Sequence, residues 1–312
     1  MKVVFHYAAG PALAGRLAAL DGLDVEACPE ADEDRFASLM AGADAVWHVL
    51  KPLTAAHLDG APKLRLVQKI GVGVNTIDLD AAKRRGIPVC NLPGTNAPAV
   101  AELALLLMLG ALRRVARLDA AVRAGRGWSL DPAEQDGFGE LGGRTVGLVG
   151  YGAVPSALAP ALAALGCRIV YASRTPKPDA AGAWRPLEAL LAESDVVSLH
   201  VPQTPETTRL IDAAALARMK PGAVLVNTAR GGLVDQAALA EALRGGRLAA
   251  AGLDVFETEP LDAADPLLAL PNVVLTPHVG WLTSGTFDRS LAVAAENCRR
   301  LAAGEELLHR VA

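Results

Sequence analysis

Short runs of β-branched and other apolar residues alternate along the whole chain with alanine-rich stretches of helical period. That is the pattern of parallel strands covered by helices on both faces. The fold class it predicts is α/β. In the first third, VVFHY (3–7), LDVEAC (23–28), DAVWHV (44–49), LRLVQKI (64–70) and IPVCNL (87–92) read as five strands, enough for a small doubly wound parallel sheet. A second set opens with RTVGLVG at 144. It continues with CRIVYAS (167–173), DVVSLHV (195–201), AVLVNTA (223–229), AAGLDVF (250–256) and NVVLTP (272–277), six strands in all and a second doubly wound sheet.

Between the two sets, residues 97–125 form one long periodic helical stretch, with Pro98 acceptable in its first turn. The last helical pattern, TFDRSLAVAAENCRRLAAGE (286–305), has no strand to serve in the second sheet and is expected to cross back onto the first domain. Loop interruptions are expected at DPAEQDGFGELGG (131–143) and at the Pro/Thr-rich PQTPETT (202–208).

Composition narrows the class. With 52% hydrophobic but only 4% aromatic residues, 312 residues supply a large aliphatic core for about two domains. Net charge is −4, and the one basic run, LRRVARL (112–118), reads as the polar face of a helix, so nucleic acid is not an expected partner. Cys28, Cys90, Cys167 and Cys298 lie far apart in apolar stretches, which suits a reduced, cytoplasmic protein. The longest apolar run, LALLLMLGAL (103–112), is about half a membrane span, so no anchor or membrane partner is expected. His6, His48, His57, His200 and His309 share no ligand spacing, and no metal site is expected.

Two constellations carry chemistry. GYGAVP (150–155) follows a buried strand and opens a helix: Gly150 makes the turn, Gly152 lets a pyrophosphate approach, and Ala153 and Val154 begin a helix whose amides suit phosphate. Pro155 stands where the dinucleotide fingerprint has its third glycine; it fits a first turn but offers no amide. At the end of the next strand, about 20 residues on, NAD enzymes place an acid. This chain has Ser173, Arg174 and Thr175, a cation between two hydroxyls that suits a 2′-phosphate and points to NADP, with NAD as the other candidate. Further cofactor contacts are expected at Thr207, Thr228, Ala229 and Asp254. The second constellation is Arg230 in NTARGG, Glu259 in DVFETEP and His278 in TPHVG, a cation, a carboxylate and an imidazole at three strand ends. Beside a dinucleotide they make a site for hydride chemistry.

The stretches 69–102, GLVGYGAV (147–154), VNTARGGLVDQAALAEAL (226–243), GLDVFETEP (252–260) and LTPHVG (275–280) stand in order and spacing similar to those of the D-isomer-specific 2-hydroxyacid dehydrogenase family. The resemblance covers essentially the whole chain. It implies a smaller flavodoxin-like substrate-binding domain, 1–95 plus 286–312, a Rossmann-type cofactor domain, 96–285, and a homodimer. It makes His278 the acid/base, Glu259 the partner that favours the imidazolium and orients the ring, and Arg230 the holder of the substrate carboxylate. It adds the backbone amides of Val72 and Gly73, a nest suited to an anion. Lys69, at the end of what reads as an edge strand, is either an anion contact like that of the phosphite dehydrogenase branch or a solvated lysine. Trp281 either closes the pocket or packs the domain.

The implied activity is NAD(P)H-linked reduction of a small 2-keto acid, such as glyoxylate or hydroxypyruvate, to the D-2-hydroxy acid. Formate dehydrogenases on this scaffold carry glutamine where Glu259 stands, which argues against that branch. The alternatives are a phosphite dehydrogenase-like oxidoreductase and a nucleotide-sensing protein like the corepressors built on this fold.

Overall fold

The computed structural model describes residues 1–128, 135 and 137–312, so the expected loop at 131–143 lies in part outside the described residues. The chain divides into two compact units, Met1–Asn96 with Thr283–Ala312, and Ala97–Leu282.

Unit 1 is a five-stranded sheet in the order β2-β1-β3-β4-β5, from β1 (Lys2–His6), β2 (Asp24–Ala27), β3 (Ala45–His48), β4 (Leu66–Lys69) and β5 (Val89–Cys90). All its pairings are parallel. The helices α1 (Pro11–Ala18), α2 (Glu33–Met40), α3 (Ala55–Asp59) and α4 (Leu79–Arg84) connect these strands. Asp32 and Asp78 start α2 and α4 by accepting the amides of Arg35 and Ala81, as N-caps do. Buried valines of the central strands pack with Phe36, Met40 and Leu58 into one core.

Unit 2 holds α5 (Ala97–Leu112), α6 (Val115–Arg123), α7 (Ala153–Ala164), α8 (Leu187–Glu193), α9 (Ala213–Arg218) and α10 (Gln236–Arg244). They surround β6 (Thr145–Val149), β7 (Arg168–Ala172), β8 (Ala183–Trp184), β9 (Val196–Leu199), β10 (Ala223–Asn227), β11 (Leu248–Leu253) and β12 (Val273–Leu275). The sheet order is β12-β11-β10-β9-β6-β7-β8, again parallel throughout. Two parallel sheets with alternating helices make an α/β fold of Rossmann type.

The sheet has seven strands where the hydrophobic pattern gives six. The extra strand, β8, is two exposed residues long and carries too little pattern to read. The helical stretch 97–125 is also two helices rather than one. Apart from Glu102 it is apolar as far as Leu112, mostly buried but with Leu106 and Leu109 exposed, and then turns through Arg114 at φ 51° into the amphipathic α6, which buries no residue.

The last helix, α11 (Ser284–Ala303), belongs to unit 1. Asn297 ties it to the sheet, donating from Nδ2 to Gln68 Oε1 at 2.7 Å. The final residues then run antiparallel to β5, with Val311 N donating to Val89 O at 2.8 Å and Asn91 N to His309 O at 3.1 Å, so this edge of the sheet is covered. Among the described residues no helix is long and apolar enough to cross a membrane, and no cluster of His, Cys, Asp and Glu is placed to hold a metal ion.

Candidate active site

Arg230, Glu259 and His278 follow β10, β11 and β12, which are neighbours in the unit 2 sheet, so three separated motifs reach one edge. His278 Nδ1 lies 2.7 Å from Glu259 Oε2, and Phe256 N donates to Glu259 Oε1 at 3.0 Å. With Nδ1 donating to the carboxylate, Nε2 is the ring nitrogen left for a substrate. Burial pushes the Glu259 carboxyl up. The hydrogen bonds from His278 and Phe256 and the charges of His278 and Arg230 outweigh it, and hold the carboxyl below its ordinary range. The Arg230 guanidinium is half-buried, donating from Nη1 to Ala229 O at 2.6 Å; burial lowers its pKa against the opposing pull of Glu259.

The loops that carry these side chains are held from below. Asn227 is 1% exposed and closes the NTAR turn, accepting from Ala229 N at 3.0 Å and donating to Arg230 O at 2.8 Å. A Cβ on Gly231 would lie 1.8 Å from the Phe256 carbonyl, so only glycine lets the Arg230 turn press on the Glu259 loop. Asp254, expected among the cofactor contacts, is likewise 1% exposed and spends its carboxylate on the His278 loop. Oδ1 accepts from Thr276 Oγ1 (2.6 Å) and Val279 N (2.9 Å), Oδ2 from Gly280 N (2.9 Å), and its carbonyl from His278 N (2.7 Å). Trp281 adds a bond from Nε1 to His278 O at 3.1 Å and is 9% exposed. Together they hold His278 at φ 54°, a left-handed conformation that a side chain keeps only when its surroundings impose it. No periodicity marks Asn227 or Asp254 for this work; their only sequence signal is a polar residue at the end of a buried strand.

The turn between β6 and α7 carries both glycines of the expected phosphate loop. Gly150 sits at φ 94°, where a Cβ would meet His200 O at 2.8 Å, whereas a Cβ on Gly152 would meet nothing within 4 Å. The second glycine thus leaves room for a ligand rather than for protein. Ala153 and Val154 start α7, whose first amides have no partner within the helix, and Pro155 is buried in the same turn without displacing the helix start. Arg174 is exposed; Ser173 Oγ donates to Thr175 O at 2.6 Å, and Trp184 Nε1 donates to Ser173 O at 3.0 Å. Thr207 Oγ1 closes its own turn on Pro202 O at 2.7 Å. Buried Thr228 Oγ1 and His200 Nε2 have no hydrogen-bond partner, and Ala229 is half-buried beside Arg230. Free helix amides, open space over Gly152, an exposed cation and orphaned polar atoms fit a dinucleotide.

In unit 1, Val72 is 44% exposed in the turn after β4, which Asn91 Nδ2 braces by donating to Val72 O at 2.9 Å; Gly73 follows in the same turn. Lys69 is not the solvated lysine of an edge strand. The strand β4 lies between β3 and β5 rather than at an edge, and Lys69 is 6% exposed. Its Nζ donates to Val49 O and lies 3.3 Å from His48 Nδ1, so it ties the 49–53 loop to the sheet.

Residues 105–280 match the family model described as D-isomer specific 2-hydroxyacid dehydrogenase, NAD binding domain. The chain is 44% identical over 272 residues to a glyoxylate reductase of Aeropyrum pernix, covering 84% of this chain and 81% of that protein. It is 41% identical over 290 residues to a D-3-phosphoglycerate dehydrogenase of Mycobacterium bovis. That match takes in 91% of this chain but 54% of the relative, so the chain spans about half the length of that protein. Among solved structures, an NADPH-dependent glyoxylate/hydroxypyruvate reductase of Sinorhizobium meliloti, in complex with NADP and malonate, superposes with TM-score 0.83 at 32% identity, over 100% of this chain and 96% of that one. The chain belongs to the D-isomer specific 2-hydroxyacid dehydrogenase family.

Proposed function

We propose that this protein is an NADP-preferring oxidoreductase that reduces a small 2-keto acid, of the glyoxylate or hydroxypyruvate kind, to the D-2-hydroxy acid. The observation that carries the reading is the 2.7 Å contact of His278 with Glu259 at the strand end next to Arg230. The bound dinucleotide supplies the hydride. His278, oriented through Nδ1, holds the proton at Nε2 for the developing alkoxide and takes it back in the oxidative direction. Glu259, held ionised, stabilises the imidazolium. Arg230 binds the substrate carboxylate and polarises the keto oxygen. Proposed cofactor contacts are Gly150, Gly152, Ala153, Val154, Ser173, Arg174, Thr175, Thr207, Thr228 and Ala229. Val72 and Gly73 are proposed as anion-binding amides.

The preference for NADP rests on Arg174 and its flanking hydroxyls, and agrees with the NADP complex of the Sinorhizobium relative. The proposed state is a cytoplasmic homodimer. Four free thiols, three of them buried, support the compartment. Leu106, Leu109, Val115 and Val122, each at least 38% exposed on α5 and α6, support self-association. Sedimentation of the wild type against Val115→Asp tests the dimer. A panel of 2-keto acids, including the one derived from 3-phosphoglycerate, assayed with NADPH and NADH tests the activity. Turnover of at least one acid is expected, and none with either cofactor overturns the reading in favour of a nucleotide-sensing binding protein.

A further inference from the structure

Residues 49–52, between β3 and α3, form neither helix nor strand, so side chains from neighbouring strand ends hold their backbone. Glu30, in the loop after β2, places one carboxylate oxygen on two consecutive amides: Leu50 N donates to Oε1 at 2.9 Å and Lys51 N at 2.7 Å. The Lys51 side chain returns the contact. Its Nζ donates to Glu30 O at 2.6 Å and pairs with Glu33 at the start of α2.

His48 and Lys69, the last residues of β3 and β4, hold the same loop from the sheet. His48 Nε2 lies 2.6 Å from Lys51 O, which as a carbonyl only accepts, so Nε2 carries the proton and Nδ1, 3.3 Å from Lys69 Nζ, is an acceptor. That arrangement needs a neutral ring. Burial and the charge of Lys69 keep it neutral by lowering the His48 pKa to about 3. Lys69 Nζ also donates to Val49 O.

The loop held in this way borders the turn proposed to bind the substrate's anion. At its start Ile70 N donates to His48 O at 2.8 Å; at its end Leu53 N donates to Thr76 O at 2.8 Å and Asp78 N to Leu53 O at 2.9 Å. Residues 49–53 and the Val72–Gly73 turn are therefore joined at both ends and lie side by side. Lys69 reaches both: a Cβ on Gly71 would lie 3.5 Å from its Cε. Val49 and Leu53 are each 1% exposed, whereas Leu50 and Lys51 are half-buried and Pro52 is exposed, so the loop is anchored at its ends and open between them.

We infer that Glu30 is a positioning residue for the substrate: by seating the Leu50 and Lys51 amides on its carboxylate, it fixes the 49–53 loop as a wall of the pocket in which the 2-keto acid meets the Val72–Gly73 amides. The inference rests on the oxidoreductase reading and extends it to a residue outside all of its motifs. Without the carboxylate the two amides lose their acceptor and the loop samples other conformations. Substrate then binds only the fraction of molecules with the wall in place. Its apparent dissociation constant rises by the inverse of that fraction, and the reaction of the bound acid is unchanged.

The test separates KM from kcat. Both are measured at saturating dinucleotide, for the 2-keto acid that wild type reduces best, in wild type, Glu30→Gln and Glu30→Met, and calorimetry gives the dinucleotide dissociation constant of each. Glutamine keeps an acceptor oxygen for both amides; methionine keeps the length of the side chain without one. Glu30→Met is expected to raise KM by roughly five- to twentyfold, the worth of the lost hydrogen bonds to a charged acceptor, with kcat within about twofold and dinucleotide binding unchanged. Glu30→Gln is expected to stay within about threefold of wild type in KM. Should Glu30→Met fail to fold, Lys51→Met, which removes the ammonium but leaves both amides on Glu30, reads the same loop. Its KM should rise by roughly two- to fivefold at unchanged kcat.

A Glu30→Met protein with wild-type KM overturns the inference, as does a wild-type KM in Lys51→Met where that variant stands in. So does a loss confined to kcat, or weaker dinucleotide binding, which would show a disturbance beyond the loop. Glutamine as poor as methionine also overturns it, because the charge and not the amide contacts would then matter. A wild type that turns over no 2-keto acid with either cofactor overturns the oxidoreductase reading itself, and this inference with it.

Discussion

At the scale of single residues, both the ring and the backbone of His278, the proton donor of the proposed reaction, are fixed by hydrogen bonds. Glu259 sets the ring through Nδ1, and Asp254 sets the backbone through four hydrogen bonds to the loop. The two roles separate by mutation. His278→Ala removes the donor and is expected to lower kcat for keto-acid reduction by on the order of 10²-fold or more. Glu259→Gln keeps a hydrogen-bonding partner but removes the charge that stabilises the imidazolium, so a smaller loss, mainly in kcat, is expected. Near-normal turnover by His278→Ala would mean that another group moves the proton. Arg174, proposed to meet the 2′-phosphate, carries a separate prediction. NADPH should be preferred by about tenfold or more in kcat/KM, one charge-assisted contact, and Arg174→Asp should reverse the order. A wild type that prefers NADH would remove Arg174 from the 2′-phosphate.

At the scale of elements, the phosphate loop shows what a departure from the usual pattern does and does not change. Pro155 replaces a glycine, yet α7 still starts at Ala153, because the proline falls among the first residues, whose amides have no helical acceptor. Pro155→Gly is therefore expected to leave dinucleotide binding unchanged or to tighten it by freeing one amide, while lowering the melting temperature through lost packing and a looser unfolded chain. Weaker binding with unchanged melting would make the proline a positive part of the site. The same logic explains what could be read before the structure. Buried parallel strands show as short apolar runs, and Arg230, Glu259 and His278 stand out because glycine or proline punctuates each strand end. Two-residue β8 and the left-handed break at Arg114 have no such signal. Strand order is also invisible along the chain, so Lys69 reads as an edge residue although β4 is interior, and His200 reads as an isolated histidine although register sets it beside Gly150.

At the scale of the whole molecule, buried neutral histidines link stability to pH. Burial, with Lys51 and His57 adding to it and Glu30 and Glu33 opposing it, lowers His6 to about 4. Burial and Lys69 lower His48 to about 3 against its hydrogen bond to Lys51 O, and burial lowers His200 to about 3. Each pKa is lower folded than unfolded, so below about pH 6.5 the unfolded chain binds more protons and gains on the folded one. The stabilisation is complete above that pH and is lost as pH falls toward the folded values, by up to about 1.4 kcal/mol per pH unit for each histidine. His6 and His48 belong to unit 1 and His200 to unit 2, so the larger share of this loss is expected in unit 1. Carboxylates held low, such as Glu259, act below their ordinary range and leave the window from 6.5 to 4.5 to the histidines. Urea unfolding at a series of pH values across that window should show midpoints falling with acid. In His6→Phe, which keeps the stacking on Phe36 at 3.7 Å available to a ring, the unit 1 dependence should flatten by about one histidine's share. A midpoint that stays level from pH 7 to pH 5, or a His6→Phe protein with wild-type pH dependence, would show that these imidazoles accept protons in the folded state as readily as in the unfolded one.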